Sequence, residues 1–216
     1  MSAFYALAYS DRIELLTDGA IYSDDGTLVD IRMKVHLSED VPLVITGRGS
    51  SAVVDLFAAG MIALSGCGNV DHALQEIDAM LQRRADQGAP EEAEWLLASI
   101  SETRGPMLLY AATADLYGYG LEPWRLHDVG KEWGGGPAVD CGDIDASCGL
   151  RDCGAELFER MRQVSAPNPA KPDLPPIHGI GGHVDLTTVL ADGCTVERLH
   201  TWPDTVGEKI DPRMVA

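Results

Sequence analysis

The chain contains 216 residues, of which 45% are hydrophobic, and it carries a formal net charge of −18 at pH 7. A chain of this length can bury one substantial core, so we expect a single domain over residues 1–216. The negative charge argues against nucleic acid and membrane partners, because nucleic acid and anionic lipid both repel an acidic surface.

The sequence also indicates a cellular compartment. No apolar run approaches the roughly 20 residues that a membrane-spanning helix needs. The N-terminus lacks the basic region and apolar stretch of a signal peptide. Five cysteines, an odd number without an export signal, suggest reduced thiols. We therefore expect a cytoplasmic protein.

Short strands dominate the prediction for the first fifty residues. The segment 4–9 is apolar on both of its alternating faces, which suits a strand covered on both sides. Asp24-Asp25-Gly26 is a hairpin signal, since Asp-Gly accepts a positive φ. The strand that precedes the first helix ends in Gly47-Arg48-Gly49. The predicted strands cover residues 4–9, 13–16, 27–33, 34–37 and 41–46.

Two helices follow. Residues 51–64 are rich in alanine and apolar around most of the helical circumference, which predicts a buried helix. Asn69 can cap a second helix of about 70–84, in which Leu74, Ile77 and Leu81 recur at helical spacing. Residues 85–94 are polar and predict a loop.

Strands return in the second half of the chain. Between these strands lies a proline-rich link at 166–176, which has five prolines in eleven residues, a composition typical of a stiff connector. The order of strands, helices, strands, helix and strands indicates an α+β fold with two antiparallel sheets between helical layers. The remaining predictions are strands at 95–100 and 107–112, an irregular region at 113–150, a helix at 150–164, the link at 166–176, and a hairpin of 184–190 with 195–200.

Three reactive side chains occur at equal spacing near the N-terminus. Asp18 lies 16 residues after Ser2, and Lys34 lies 16 residues after Asp18. Removal of Met1 would leave Ser2 with a hydroxyl and a free α-amine, and such an amine can act as the base for its own hydroxyl. The alternatives are a disordered or acetylated terminus at Ser2, an ordinary turn at Asp18-Gly19 and a solvated lysine.

This arrangement resembles the proteasome β-subunit and the peptidase subunit of the bacterial two-component ATP-dependent protease, which are N-terminal nucleophile hydrolases. In that family a processed Thr is followed at the same spacing by Asp, in an Asp-Gly or Asp-Ser pair, and then by Lys. Ser2, Asp18-Gly19 and Lys34 hold those positions here. Further similar segments are 44–52 (a Gly-rich turn into the first helix), 95–112 (a strand pair with Gly105-Pro106), and 181–186 followed by Asp192-Gly193.

The resemblance implies a four-layer αββα sandwich and an amide or peptide hydrolase with Ser2 as nucleophile. Lys34 would favour the ionised hydroxyl, and Asp18 would pair with Lys34. Backbone N–H groups at Gly47 and Gly49 would stabilise the oxyanion. The resemblance also implies a peptide or amide substrate, a homo-oligomeric ring and an ATP-dependent unfoldase as partner.

The sequence departs from the family pattern around the triplet. Ala20 stands where the family has Arg, Arg48 splits the Gly-Gly pair of the turn, and Ile177 and Ile180 replace a supporting Asp and Ser. These departures suggest a second hypothesis, a catalytically inactive subunit with a structural or assembly role. A third hypothesis is a small-molecule amidase that works without an unfoldase.

Neither a metal site nor a cofactor site is predicted. Cys141, Cys148 and Cys153 lie close together with His127 upstream, but their spacing lacks the Cys-x-x-Cys element of a zinc knuckle. No Gly-Lys-Ser/Thr follows a strand, so the glycine-rich segments do not match a phosphate-binding loop.

Overall fold

The computed structural model describes residues 2–89, 92–142, 144–147, 149–168 and 171–213. Met1 and Cys148, on which two of the sequence hypotheses depend, lie outside the described residues. Within the described part, the fold is mixed α/β, consisting mostly of antiparallel sheet with three α-helices. None of those helices is both long enough and apolar enough to cross a membrane.

In chain order, the strands are β1 (Phe4–Ala8), β2 (Ile13–Asp18), β3 (Ala20–Tyr22), β4 (Leu28–Ile31), β5 (His36–Leu37), β6 (Leu43–Gly49), β7 (Ala93–Ser101), β8 (Gly105–Ala112), β9 (His127–Asp128), β10 (Glu132–Gly135), β11 (Ser165–Ala166), β12 (Ile177–His178), β13 (His183–Leu190) and β14 (Gly193–Thr201). The α-helices are α1 (Ser51–Leu64), α2 (Val70–Ala85) and α3 (Gly154–Gln163).

Two five-stranded sheets form the framework. The first has the order β10-β1-β2-β13-β14 and the second β5-β6-β7-β8-β9, and neighbouring strands in both are antiparallel. The strands β3 and β4 form a separate two-stranded ribbon, which directly follows β2 in the chain. The end of β2 therefore marks a change from one sheet to another, and Asp18 is its last residue.

Three apolar clusters fill the space around these sheets. One joins β1, β2 and β13 to β6, β7 and β8 through side chains that include Phe4, Leu15 and Leu96. A second packs α1 and α2 on the other face of the second sheet around Trp95. A third packs α3 on the first sheet around Phe158. Removal of this apolar surface from water is the main favourable contribution to folding.

Several sequence predictions are confirmed. The helix α1 has the predicted bounds, and α2 extends the predicted helix by one residue. Asn69 caps α2, because its side chain accepts a hydrogen bond of 2.7 Å from the backbone N–H of His72. The hairpin of β13 and β14 turns at Asp192, as predicted, and Gly193 has a φ of 147°.

The predicted buried helix at 51–64 is wrong about burial. Val53, Val54, Ala58 and Met61 are buried, whereas Leu56 is 71% exposed. An apolar composition does not by itself determine which residues are buried. Only one face of α1 packs on the sheet, so apolar side chains on its other face remain exposed.

The region 113–150 is not wholly irregular. It contains β9 and β10, and Gly134 and Gly135 belong to β10, where they pair with Tyr5 and Phe4 of β1. A side chain at Gly135 would lie 2.5 Å from Cζ of Arg48. Glycine therefore permits a close approach that the sequence did not indicate.

Other boundaries also differ from the predictions. The helix α3 begins at Gly154 rather than at residue 150, and β7 begins at Ala93 inside the predicted loop. The ends of the proline-rich segment lie side by side, because the flanking strands β11 and β12 pair with each other. Hydrogen bonds between chain segments decide these boundaries, so local composition locates them only approximately.

Candidate active site

The antiparallel pairing of β1 and β2 brings Ser2 close to Asp18. Phe4 lies opposite Thr17 in the register, so the residues before Phe4 lie beside the end of β2. The backbone N–H of Asp18 donates to the carbonyl of Ala3 at 3.3 Å, and the N–H of Ala3 donates to Asp18 Oδ1 at 3.0 Å. The N-terminal segment is thereby held at the carboxylate of Asp18.

Lys34 completes the group from a third segment, just before β5. Its Nζ lies 2.9 Å from Ser2 Oγ and 2.9 Å from Asp18 Oδ1. The hydroxyl of Thr46 in β6 donates to the carbonyl oxygen of Lys34 at 3.0 Å and so fixes the lysine backbone. The structure thus brings Ser2, Asp18 and Lys34 together through direct side-chain contacts.

The carboxylate of Asp18 is fully buried and accepts several hydrogen bonds. Lys34 Nζ and the N–H of Ala3 donate to Oδ1, while the N–H groups of Ala20 and Gly181 donate to Oδ2 at 3.1 and 3.4 Å. These donors satisfy both oxygens of the buried carboxylate. They also fix the orientation of the carboxylate towards Lys34.

Burial determines the protonation behaviour of Lys34. Loss of solvent lowers the pKa of its ammonium below the ordinary value of 10.5, the charge of Asp18 opposes this shift, and the charge of Arg32 adds to it. Lowering this pKa moves the equilibrium from the ammonium towards the neutral amine. The amine beside the Ser2 hydroxyl is therefore easier to deprotonate than an ordinary lysine.

Gly47 and Gly49 lie at the end of β6, within the strand rather than in a turn after it. Gly49 pairs with Ala93, whose own N–H and C=O bond to Thr113 on the opposite side. In an antiparallel ladder alternate residues point to opposite sides, so the N–H groups of Gly47 and Gly49 face away from β7. With Ser2 and Lys34 these glycines line a cavity of about 30 Å³.

A larger cleft opens beside the small cavity. It has a volume of about 500 Å³ and shares Ser2 and Gly49 with its smaller neighbour. Arg48, Tyr117 and Lys171 also line it. A cleft of this size can accommodate a ligand of several residues. Ser2 is therefore accessible to a ligand from one side while Lys34 and Asp18 lie behind it.

Sequence reasoning missed a buried polar group on the wall of this cleft. Arg48 is buried and forms an ion pair with Glu94, which also accepts a hydrogen bond of 2.7 Å from the hydroxyl of Tyr110. The guanidinium of Arg48 lies over the ring of Tyr117, 4.3 Å from its centroid. Burial and the neighbouring carboxylate of Glu94 raise the pKa of Tyr110. The only sequence feature that pointed to this buried group was a charged residue, Arg48, between Gly47 and Gly49.

The structure does not assemble the conceivable zinc site. Within the described part of the chain, no group of three or more His, Cys, Asp or Glu side chains is placed to hold a metal ion. His127 belongs to β9 and its Nε2 contacts the carbonyl of Glu122 at 2.7 Å, while Cys153 is buried beside α3. Cys148, the third cysteine of the hypothesis, lies outside the described residues.

Comparison with known proteins adds no identification. No protein-family model matches this sequence, and no curated protein is significantly similar to it. Function must therefore be inferred from the chemistry of the site itself.

Proposed function

We propose that the chain is a proteasome-like amide or peptide hydrolase in which Ser2 becomes an N-terminal nucleophile once Met1 is removed. The observation that carries the proposal is the position of Lys34 Nζ, 2.9 Å from both Ser2 Oγ and Asp18 Oδ1. A nucleophile, a group that can take its proton and a third group that orients the second are the parts that covalent catalysis needs.

We also propose the four-layer αββα arrangement for this fold. The apolar cluster shared by β1, β2 and β13 with β6, β7 and β8 supports contact between the two sheets. The clusters of α1 and α2 on one sheet and of α3 on the other support an outer helical layer on each side.

The first chemical step is attack of Ser2 Oγ on a substrate carbonyl carbon. The hydroxyl proton passes either to the α-amine of Ser2, whose reference pKa is roughly 7.7–8.0, or to the neutral amine of Lys34. The carbonyl oxygen becomes an oxyanion, which the N–H groups of Gly47 and Gly49, two residues that line the cavity beside Ser2, would stabilise.

The second step is collapse of the tetrahedral intermediate. The C–N bond of the substrate breaks, the leaving amine takes the proton held by the base, and Ser2 remains as an ester of the acyl group. Water then attacks the carbonyl carbon of this ester and gives up a proton to the same base. The bond from this carbon to Ser2 Oγ breaks, the carboxylic acid leaves, and Oγ takes the proton back from the base. No group outside the protein is consumed except water.

Intact-mass analysis after treatment with a peptide epoxyketone tests the proposal. This electrophile reacts with a hydroxyl and an adjacent α-amine, so it requires both Ser2 Oγ and the loss of Met1. We expect a mass increase equal to that of the inhibitor, mapping to Ser2 and absent from Ser2→Ala. A chain that retains Met1 and gains no mass would refute the hydrolase and favour the inactive subunit.

The proposed assembly is a homo-oligomeric ring that degrades peptides, with an ATP-dependent unfoldase as partner. Light scattering combined with size-exclusion chromatography measures the particle mass directly. We expect a mass several times that of the 23.1 kDa chain. A monomer at all concentrations would overturn the ring and leave the small-molecule amidase as the better hypothesis.

A further inference from the structure

We propose that Arg162 and Asp204 are positioning residues that hold the Asp18 carboxylate in place through the Gly181-Gly182 turn. This inference rests on the proposed function of the Ser2 site. Neither residue touches Ser2 or Lys34 in the described contacts, so both would act through the backbone that lies between them and Asp18.

The first part of the connection is a buried ion pair. Arg162 lies in the last turn of α3 and is fully buried, and the Asp204 side chain is 4% exposed. Arg162 Nη1 and Nη2 donate to the two oxygens of Asp204 at 2.8 and 2.6 Å. Nη1 also donates to the carbonyl of Ile180 at 3.0 Å. Two parallel hydrogen bonds fix the orientation of both partners.

The ion pair in turn fixes the Gly181-Gly182 turn. The N–H of Gly182 donates to Asp204 Oδ2 at 2.7 Å. A side chain at Gly181 would lie 2.6 Å from Asp204 Oδ2 and 2.9 Å from Arg162 Nη1, so the turn lies directly on the ion pair. Gly182 has a φ of 74°, which other residues rarely adopt.

The same turn contacts Asp18 and the residue that follows it through the two backbone groups of Gly181. The N–H of Gly181 donates to Asp18 Oδ2 at 3.4 Å, and the carbonyl of Gly181 accepts from the N–H of Gly19 at 3.0 Å. The turn therefore holds both the carboxylate and the backbone that follows it. A displacement of Gly181 would move the carboxylate that orients Lys34.

Position favours this role over a purely stabilising one. A buried ion pair has to offset the loss of hydration of both charges, so it is weak evidence for stability alone. Apart from Lys34, the described donors to Asp18 are backbone N–H groups. The orientation of the carboxylate therefore depends on where the backbone lies, and Arg162 and Asp204 fix one part of that backbone.

The test uses Asp204→Asn, which keeps the shape of the side chain, and Arg162→Lys, which keeps the charge but loses the planar fork. Leu81→Ala is the control, since Leu81 is buried on α2 and belongs to the apolar cluster around Trp95, which contains no residue of the two peptides monitored below. Two quantities are measured in the full-length protein. They are the rate and affinity of epoxyketone labelling at Ser2, and amide hydrogen exchange in peptides that cover residues 16–22 and 178–186.

We expect Asp204→Asn and Arg162→Lys to lower the maximal labelling rate roughly 10- to 100-fold with an unchanged apparent affinity, because a small misplacement of a reacting group has such effects. Amide exchange should accelerate in both peptides, whereas Leu81→Ala should change neither quantity when each variant is compared at the same interval below its own melting temperature. Labelling at the wild-type rate, or an equal loss in Leu81→Ala, would overturn the proposal.

The exchange measurement keeps this proposal separate from the proposed function. If the wild-type protein is not labelled, the hydrolase hypothesis is refuted. Exchange in residues 16–22 still reports whether Arg162 and Asp204 hold the backbone around Asp18 in place. Faster exchange there in Asp204→Asn and Arg162→Lys, but not in the control variant, supports the positioning role. Unchanged exchange in that peptide refutes it, whether or not Ser2 reacts.

Discussion

The Asp18–Lys34 pair gives a sharp prediction about stability, because its two members have unequal support. Lys34 Nζ has Asp18 and the Ser2 hydroxyl as its described hydrogen-bond partners. Asp18 accepts three further hydrogen bonds from backbone N–H groups. We compare Asp18→Ala, which strands the buried amine, with Lys34→Met, which leaves a carboxylate that still has its backbone donors.

The magnitudes follow from this asymmetry. Asp18→Ala removes the partner of a buried charge, which costs about 3–5 kcal/mol of unfolding free energy. It also leaves backbone N–H groups without their acceptor. Lys34→Met costs only about 2 kcal/mol, the scale of one hydrogen bond to a charged group, because the carboxylate stays satisfied. In a chain of this size, 1 kcal/mol shifts the melting temperature by roughly 2–4 °C.

The pH dependence supplies an independent check with a definite sign. Burial lowers the pKa of Lys34 in the folded protein below 10.5, the ordinary value that applies to the unfolded chain. At a pH between the folded and the unfolded pKa, the unfolded chain therefore binds more protons than the folded protein. Stability then rises with pH in that window and is lost as pH falls. Removing Asp18 lowers this pKa further, so the deficit of Asp18→Ala should shrink as pH rises from about 7 to about 10.

Urea unfolding followed by tryptophan fluorescence, at one fixed protein concentration, measures both variants and the double variant. Equal losses in Asp18→Ala and Lys34→Met would refute the unequal support. If the loss of unfolding free energy in Asp18→Ala were the same at about pH 7 and about pH 10, the unpaired amine of Lys34 would not be its cause.

Two further predictions concern glycine and cysteine positions. Gly19→Ala should destabilise the protein by about 1–3 kcal/mol, since its new methyl group would lie 2.5 Å from His183 Nδ1. Gly60→Ala, in the helix α1, should instead stabilise it by about 0.5–1 kcal/mol, because the new methyl group would meet no neighbouring atom within 4 Å. Chemical denaturation of both variants checks that the two changes have opposite signs. Iodoacetamide at pH 8 should alkylate the exposed Cys141 well before Cys194, because burial raises the pKa of the Cys194 thiol to about 11; peptide mass mapping over time measures the order, and faster reaction at Cys194 would contradict it.

Local signals in the sequence located much of the fold. The bounds of α1, the Asn69 cap of α2 and the Asp192 hairpin were predictable because caps, turns and helical spacing act over a few residues. The strand β10 was not predictable, because its glycines lie in a strand only by pairing with β1.

The sequence also indicated the candidate site, through the spacing of three residues and their resemblance to a family pattern. Ser2 lies just before β1 and Asp18 at the end of β2, so the pairing of these strands brings the two residues together, whereas Lys34 reaches them from the segment before β5. The support of Asp18 by Gly181 could not be read in this way. It joins residues 163 positions apart in the chain, and their proximity depends on the packing of β13 beside β2.

Residue type, spacing and local turn chemistry by themselves determined the helices, most strands and the triplet of reactive groups. Only the tertiary structure decided that Arg48 is buried against Glu94, that Arg162 and Asp204 lie behind the Gly181-Gly182 turn, and that Lys34 is removed from water. The physical reason is desolvation. From sequence alone, a charged residue is predicted to lie at the surface, because most charged residues do. Its protonation and its ion pairs change only when segments distant in the chain enclose it.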